Sequence, residues 1–160
     1  MDRRSRKRRR RRSKDRGSAG ERWAARLIER HGLEVIARNW TFSGGEIDLI
    51  ARDGQELVLI EVKTRRPGAE RFIDRAQLGR IARAAPLAMA THGSARLWTV
   101  RLDLIWIEVT PIGKVTTAEW WIAIDPQTGA SDRKPPRCRP WWWRSLRSLR
   151  FVRRASRFHG

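Results

Sequence analysis

The sequence predicts an α/β layered domain, a mixed β-sheet flanked by helices in the order helix, three strands, helix, strand. Three observations carry this. Two runs rich in Ile, Leu and Val, 46–51 and 56–62, flank Asp53-Gly54, a pair suited to a tight turn, so they read as a hairpin. The second run is apolar at consecutive positions over 57–62 apart from Glu61 near its end, the mark of a strand covered on both faces. Helical periodicity on either side of the hairpin supplies the covering layers.

Taken in order, Ser18-Ala-Gly-Glu21 has the form of a capping box. Ala24, Leu27, Ile28 and His31 then recur at helical spacing before Gly32 stops the helix. Glu21 is accounted for by the cap, yet it shares a helical face with Ala24 and Ile28 and so points inward. His31, close to the helix C-terminus, is expected to be dipole-stabilised or partly exposed rather than a ligand. Residues 35–42 read as a strand, and Ser43-Gly44-Gly45 turns the chain into the hairpin, with Ser43 a candidate substrate contact. Past Pro67-Gly68, Asp74 caps a helix whose apolar stripe is Leu78, Ile81, Ala82, Ala85 and Met89, and Pro86 is expected to kink or divide it. Residues 96–109 form a central strand in which Asp103 is structural, and 120–124 a last edge strand.

Charge sets the boundaries. The chain of 160 residues has a net charge of +19, distributed unevenly. Residues 1–16 hold eleven basic and two acidic side chains, and 125–160 hold ten and two, leaving the middle near neutral. Such blocks repel themselves and have little to bury, so 1–16 is expected as a disordered arm, 17–124 as the domain and 125–160 as a basic Trp/Arg-rich tail. Within that tail, Trp142, Leu146, Leu149 and Val152 recur at helical spacing beside arginines, a possible amphipathic helix over 141–158. The single Cys138 rules out an internal disulfide framework and suits a reducing cytoplasm; neither a membrane span nor a signal peptide is indicated.

The chemistry concentrates in the hairpin. With Ala51 opposite Glu56, Asp48 faces Leu59, Glu46 faces Glu61, and Glu46, Asp48, Glu61 and Lys63 share one face of the sheet. Three carboxylates on one face repel, which calls for a cation; hard oxygen ligands suit Mg²⁺ or Mn²⁺, held by Asp48, Glu61 and the backbone carbonyl of Val62. Lys occupies position 63 in a chain with thirty-one arginines and five lysines, and unlike Arg it can be tuned to handle a proton. The plainer reading is a solvated Glu-x-Lys cross-strand ion pair, worth little. The continuous apolar run ending at Glu61 favours the metal site. Arg65 and Arg66 extend from the same strand end, where guanidinium groups can grip phosphates.

Gly-Glu-Ile-Asp-Leu-Ile followed by Ile-Glu-Val-Lys-Thr-Arg resembles the YraN-like family of bacterial proteins over residues 17–107. That family is placed in the PD-(D/E)xK restriction-endonuclease-like superfamily and is similar to archaeal Holliday-junction resolvases. The resemblance implies a restriction-endonuclease-like layered fold and a catalytic set of Asp48, Glu61, Lys63 and the helix residue Glu21. The pattern usually has Lys near Gln77, so Gln77 is a departure, retained as a candidate nucleic-acid contact. The expectation is a Mg²⁺- or Mn²⁺-dependent endonuclease acting on DNA, with branched or damaged DNA as candidate substrates. Two alternatives stand beside it: a non-catalytic nucleic-acid-binding module, or an adaptor using 141–158 at a membrane surface or on a protein partner.

Overall fold

The computed structural model describes residues 3–70, 74–93, 99–127 and 149–150. Helix α1 (Arg3–Arg30) leads into strands β1 (Glu34–Phe42), β2 (Gly45–Asp53) and β3 (Glu56–Arg65). Helices α2 (Arg75–Arg83) and α3 (Ala85–His92) follow, then strands β4 (Thr99–Val109), β5 (Val115–Trp121) and the two-residue β6 (Leu149–Arg150). The strands form one mixed sheet in sequence order. β3 pairs parallel with β4 and β5 parallel with β6, and the other neighbours are antiparallel.

The alternation of β3 explains why it is apolar at consecutive positions from Leu57 to Ile60. Val58, Ile60 and Val62 pack with Ala24, Leu27 and Ile28 of α1, whereas Leu57 and Leu59 pack with Leu78 and Ile81 of α2. The sheet is therefore covered on both faces, and β3 and β4 form its buried centre. Pro86 at the start of α3 divides the second helical stretch as expected, and Asp74 caps α2 by accepting a hydrogen bond from the Gln77 amide at 2.9 Å.

Five details differ from the sequence reading. Ser18 and Glu21 lie inside α1, not at its start, because the helix begins at Arg3. The expected disordered arm is thus helical from Arg3 onward: Arg and Lys favour helix, and no proline interrupts the chain. His31 is buried; its Nδ1 lies 2.8 Å from the Leu27 carbonyl oxygen and its ring meets Trp120 edge-on. The strand expected over 120–124 begins earlier, as Val115–Trp121, and Ile124 returns to donate to the Leu102 carbonyl at 2.8 Å. In the tail, Leu149–Arg150 form a strand where a helix was expected, and the rest of 141–158 lies outside the described residues.

The hairpin register also shifts. Asp53 pairs with Glu56, so the turn is two residues long, with Gly54 at φ +59°. Arg101 of β4 holds both feet of the turn, donating to Asp53 at 2.8 Å and Glu56 at 2.6 Å, which keeps both residues in the ladder. A shift of two residues preserves the faces as far as Leu49↔Ile60, but beyond it the alternation of β2 slips. Leu49 packs with the α1 side and Ile47 with the α2 side, so Glu46, expected to share a face with Glu61 and Lys63, is instead bonded through Asn39 to Glu21 of α1.

Helix α1 meets β3 closely at one point. A Cβ added to Gly20 would lie 1.9 Å from Thr64 Oγ1 and 3.1 Å from Thr64 Cβ. Thr64 is β-branched and stiff, and its Oγ1 is buried without a hydrogen-bond partner among the described residues. Gly20→Ala should therefore destabilise the fold by about 1–3 kcal/mol through overpacking, although Ala favours helix over Gly by about 1 kcal/mol. Urea unfolding checks this: Gly20→Ala should be less stable than wild type, and adding Thr64→Ala should recover part of the loss.

Candidate active site

The β2–β3 ladder runs from Asp53↔Glu56 to Leu49↔Ile60. Continuing the count places Asp48 across from Glu61, not Leu59. Here a side chain replaces the ladder: the Val62 N–H donates to Asp48 Oδ2 at 2.6 Å. In an extended strand the N–H and C=O of one residue point to the same edge, so the Val62 carbonyl is directed to the side on which Asp48 stands.

Glu61 is 4% exposed. Its Oε1 accepts from Lys63 Nζ at 2.7 Å and from Gln77 Nε2 at 2.8 Å. Lys63 Nζ also donates to Gln77 Oε1 at 2.5 Å, which closes a triangle. Gln77 reaches it because the Asp74 cap fixes the first turn of α2 against this face. Position 77 thus holds a neutral amide that orients both Glu61 and Lys63.

Two carboxylates placed together away from water resist ionisation. Burial and the neighbouring Glu61 charge push Asp48 up to about 7, Glu21 adds to the effect, and the Val62 hydrogen bond and Lys63 oppose it. Glu61 is also raised, first by burial, against the pull of Lys63 and Gln77. The sign follows. Folded Asp48 holds its proton to higher pH than the unfolded chain does, so its contribution to stability is lost as pH rises from the usual carboxylate range through about 7. The metal-free protein should melt at lower temperature at about pH 8 than at about pH 5.5, other groups adding to the profile, and Mn²⁺ affinity should rise over the same interval as protons leave the ligands. Asp48→Asn should flatten the melting profile; an unchanged profile would assign it to other groups.

Asn39, which the sequence reading passed over, lies between the pairs Arg38↔Leu49 and Trp40↔Ile47 and so stands opposite Asp48. Its φ is +51°, and its side-chain amide donates to Glu21 Oε2 at 3.1 Å and Glu46 Oε1 at 2.8 Å. Glu21 and Glu46 are thus drawn together by Asn39, while Glu61, Lys63 and Gln77 form the group on the α2 side. An Asn in the middle of a strand, where it is disfavoured, was the available signal.

The candidate nucleic-acid contacts are placed more loosely. Arg65 and Arg66 are exposed beyond Lys63, the Arg65 guanidinium lying 5.7 Å from the Trp106 ring centroid. Ser43 is exposed in the β1–β2 turn. That turn and the C-terminal end of β3 lie at the same end of the sheet, since β2 runs antiparallel to both its neighbours. Among the described residues no group of three His, Cys, Asp or Glu could hold an ion, and no helix is long and apolar enough to cross a membrane.

The fold and site define a mixed α/β protein with half-buried Asp48, buried Glu61 and a lysine at the end of its central hairpin. Residues 20–107 match Uncharacterised protein family UPF0102, to which the chain belongs. It is 43% identical to a UPF0102 protein of Beutenbergia cavernae over 103 residues, which are 61% of this chain and 85% of that protein. A UPF0102 protein of Streptomyces griseus is 42% identical over 63% of this chain and 88% of its own length. One from Symbiobacterium thermophilum is 43% identical over 62% and 86%.

Proposed function

We propose that this chain is a metal-dependent endonuclease that hydrolyses phosphodiester bonds in DNA, with the layout of the PD-(D/E)xK restriction-endonuclease-like proteins and a kinship to Holliday-junction resolvases. The observation that carries the reading is half-buried Asp48 set beside buried Glu61, with the Val62 backbone between them and Lys63 bonded to Glu61. Two carboxylates and a carbonyl oxygen are a donor set for Mg²⁺ or Mn²⁺, and their resistance to ionisation without a cation fits that use. With only two side-chain ligands, the remaining positions would go to water and phosphate oxygens, as Mg²⁺ prefers.

When bound, the ion would activate water and offset the charge of the phosphodiester. Lys63, held by Glu61 and Gln77, orients the attacking water as an ammonium or takes its proton as a neutral amine, and in its protonated form balances negative charge growing on the phosphate oxygens. The water oxygen forms the new bond to phosphorus while the bond to the departing sugar oxygen breaks. Arg65, Arg66 and Ser43 stand at the same end of the sheet for phosphates on either side of the cut.

Helix α1 gives a reason to favour a long polyanion. Gly20 touches Thr64 next to Lys63, so the helix N-terminal to it continues past the end of the sheet where the site lies. That extension bears the basic cluster of residues 3–16 and spans roughly 20 Å at the α-helical rise. Its attraction for phosphates is sequence-independent and falls steeply with salt. Incubation with linear duplex, single-stranded and four-way-junction DNA in Mg²⁺ or Mn²⁺ tests the proposal. Chelator-sensitive nicking of one substrate is expected; binding without cleavage of any would leave a nucleic-acid-binding module.

A further inference from the structure

Asn39 occupies a backbone conformation that non-glycine residues seldom adopt, with φ +51° in the middle of β1. Asn tolerates it better than most side chains, and its consequence is directional. The residue opposite Asp48 turns its amide toward helix α1 and the start of β2. There its Nδ2 donates one hydrogen to Glu21 and the other to Glu46. Both side-chain donors are thereby committed to carboxylates from two different elements. A Lys or Arg in this place would neutralise the acids; an amide gathers them and leaves their charge intact.

We propose that Asn39 is a positioning residue that holds Glu21 and Glu46 beside Asp48, so that the three form an anionic wall of the cation site. The role rests on the metal-dependent reading above. Glu21 and Glu46 start from a helix and a strand, and among the described residues the shared Asn39 donor is the hydrogen-bond link between them. The wall raises the negative potential at the ion and fixes the acids that orient its remaining waters. Asn39 itself touches neither ion nor substrate.

The test uses Asn39→Gly, which keeps the positive φ without strain and deletes only the amide. Calorimetric titration with Mn²⁺ should show affinity weakened by about ten- to a hundredfold, the usual size for loss of an outer-shell partner, with cooperative thermal unfolding retained. The same substitution in a Glu21→Gln, Glu46→Gln background should change Mn²⁺ affinity by less than about twofold, because Asn39 acts through those acids. A purely structural role would move the melting temperature alone, or would weaken Mn²⁺ binding equally in both backgrounds. Either result overturns the proposal, as does equal Mn²⁺ affinity of wild type and Asn39→Gly. Wild-type protein that binds no Mn²⁺ overturns the metal reading itself and this role with it.

Discussion

Glu61→Gln should abolish Mn²⁺ binding and metal-dependent cleavage while the melting temperature of the metal-free protein stays constant or rises. Gln matches Glu in volume and still offers an oxygen to Lys63 and Gln77, which now bond to Glu61 Oε1. What disappears is a charge beside Asp48, in a place where burial already disfavours it. Burial raises the Glu61 carboxyl above its ordinary value, so its charge is disfavoured in the fold relative to the unfolded chain, and removing it costs little. A hard cation, by contrast, loses one of two anionic ligands. Lys63→Met separates binding from chemistry: Mn²⁺ binding should persist while cleavage falls by about 10²–10⁴-fold, the span of a lost proton-transfer group. An ordinary ion pair would give the opposite pattern, roughly 0–1 kcal/mol of stability and no change in metal affinity. Equal Mn²⁺ binding by wild type and Glu61→Gln would therefore remove the site from this hairpin.

The sheet was legible where composition and periodicity agree. The apolar run 57–62 announced a strand covered on both faces, and β3 is that strand. Glu61 and Lys63 kept their face under a misplaced register because the shift was an even number of residues, whereas β2 slips at Asp48 and carries Glu46 away from them. Its size was set from a distance: Arg101 pins both feet of the turn, and nothing local to 51–56 reveals it. The same holds for Gln77, whose place in the site depends on the packing of α2, and for Asn39, whose conformation no pattern of apolar residues encodes. Ser18-x-x-Glu21 misled for the converse reason. A capping box marks a helix start only where the preceding chain is not already helical, and α1 runs through it.

Arg101→Met should cost about 3–5 kcal/mol of folding stability, a large share of the roughly 5–15 kcal/mol that a domain of this kind has. Arg101 is 7% exposed and Asp103 is fully buried. The guanidinium meets Asp103 with two bonds, Nε to Oδ1 at 3.1 Å and Nη2 to Oδ2 at 3.2 Å, besides holding the turn through Asp53 and Glu56. Asp103 keeps two other donors, Trp120 Nε1 at 3.1 Å and the Ala123 amide at 2.9 Å, which are neutral and cannot replace a cation. Burial already raises the Asp103 carboxyl, with Arg101 the main opposing influence; without Arg101 it rises further. The charged form then burdens the fold at neutral pH, and acid relieves it, so the deficit of Arg101→Met should shrink as pH falls toward the raised pKa. Adding Asp103→Asn should recover part of the loss, because no buried charge is left unpaired. Urea unfolding of the single and double variants at about pH 5.5 and pH 8 measures all of this. A deficit under about 1 kcal/mol, or one that grows in acid, would show that Arg101 is not what stabilises the buried charge. The consequence reaches the site: with the turn released, the register that sets Asp48 across from Glu61 loses its clamp, and Mn²⁺ affinity should fall even where the variant remains folded.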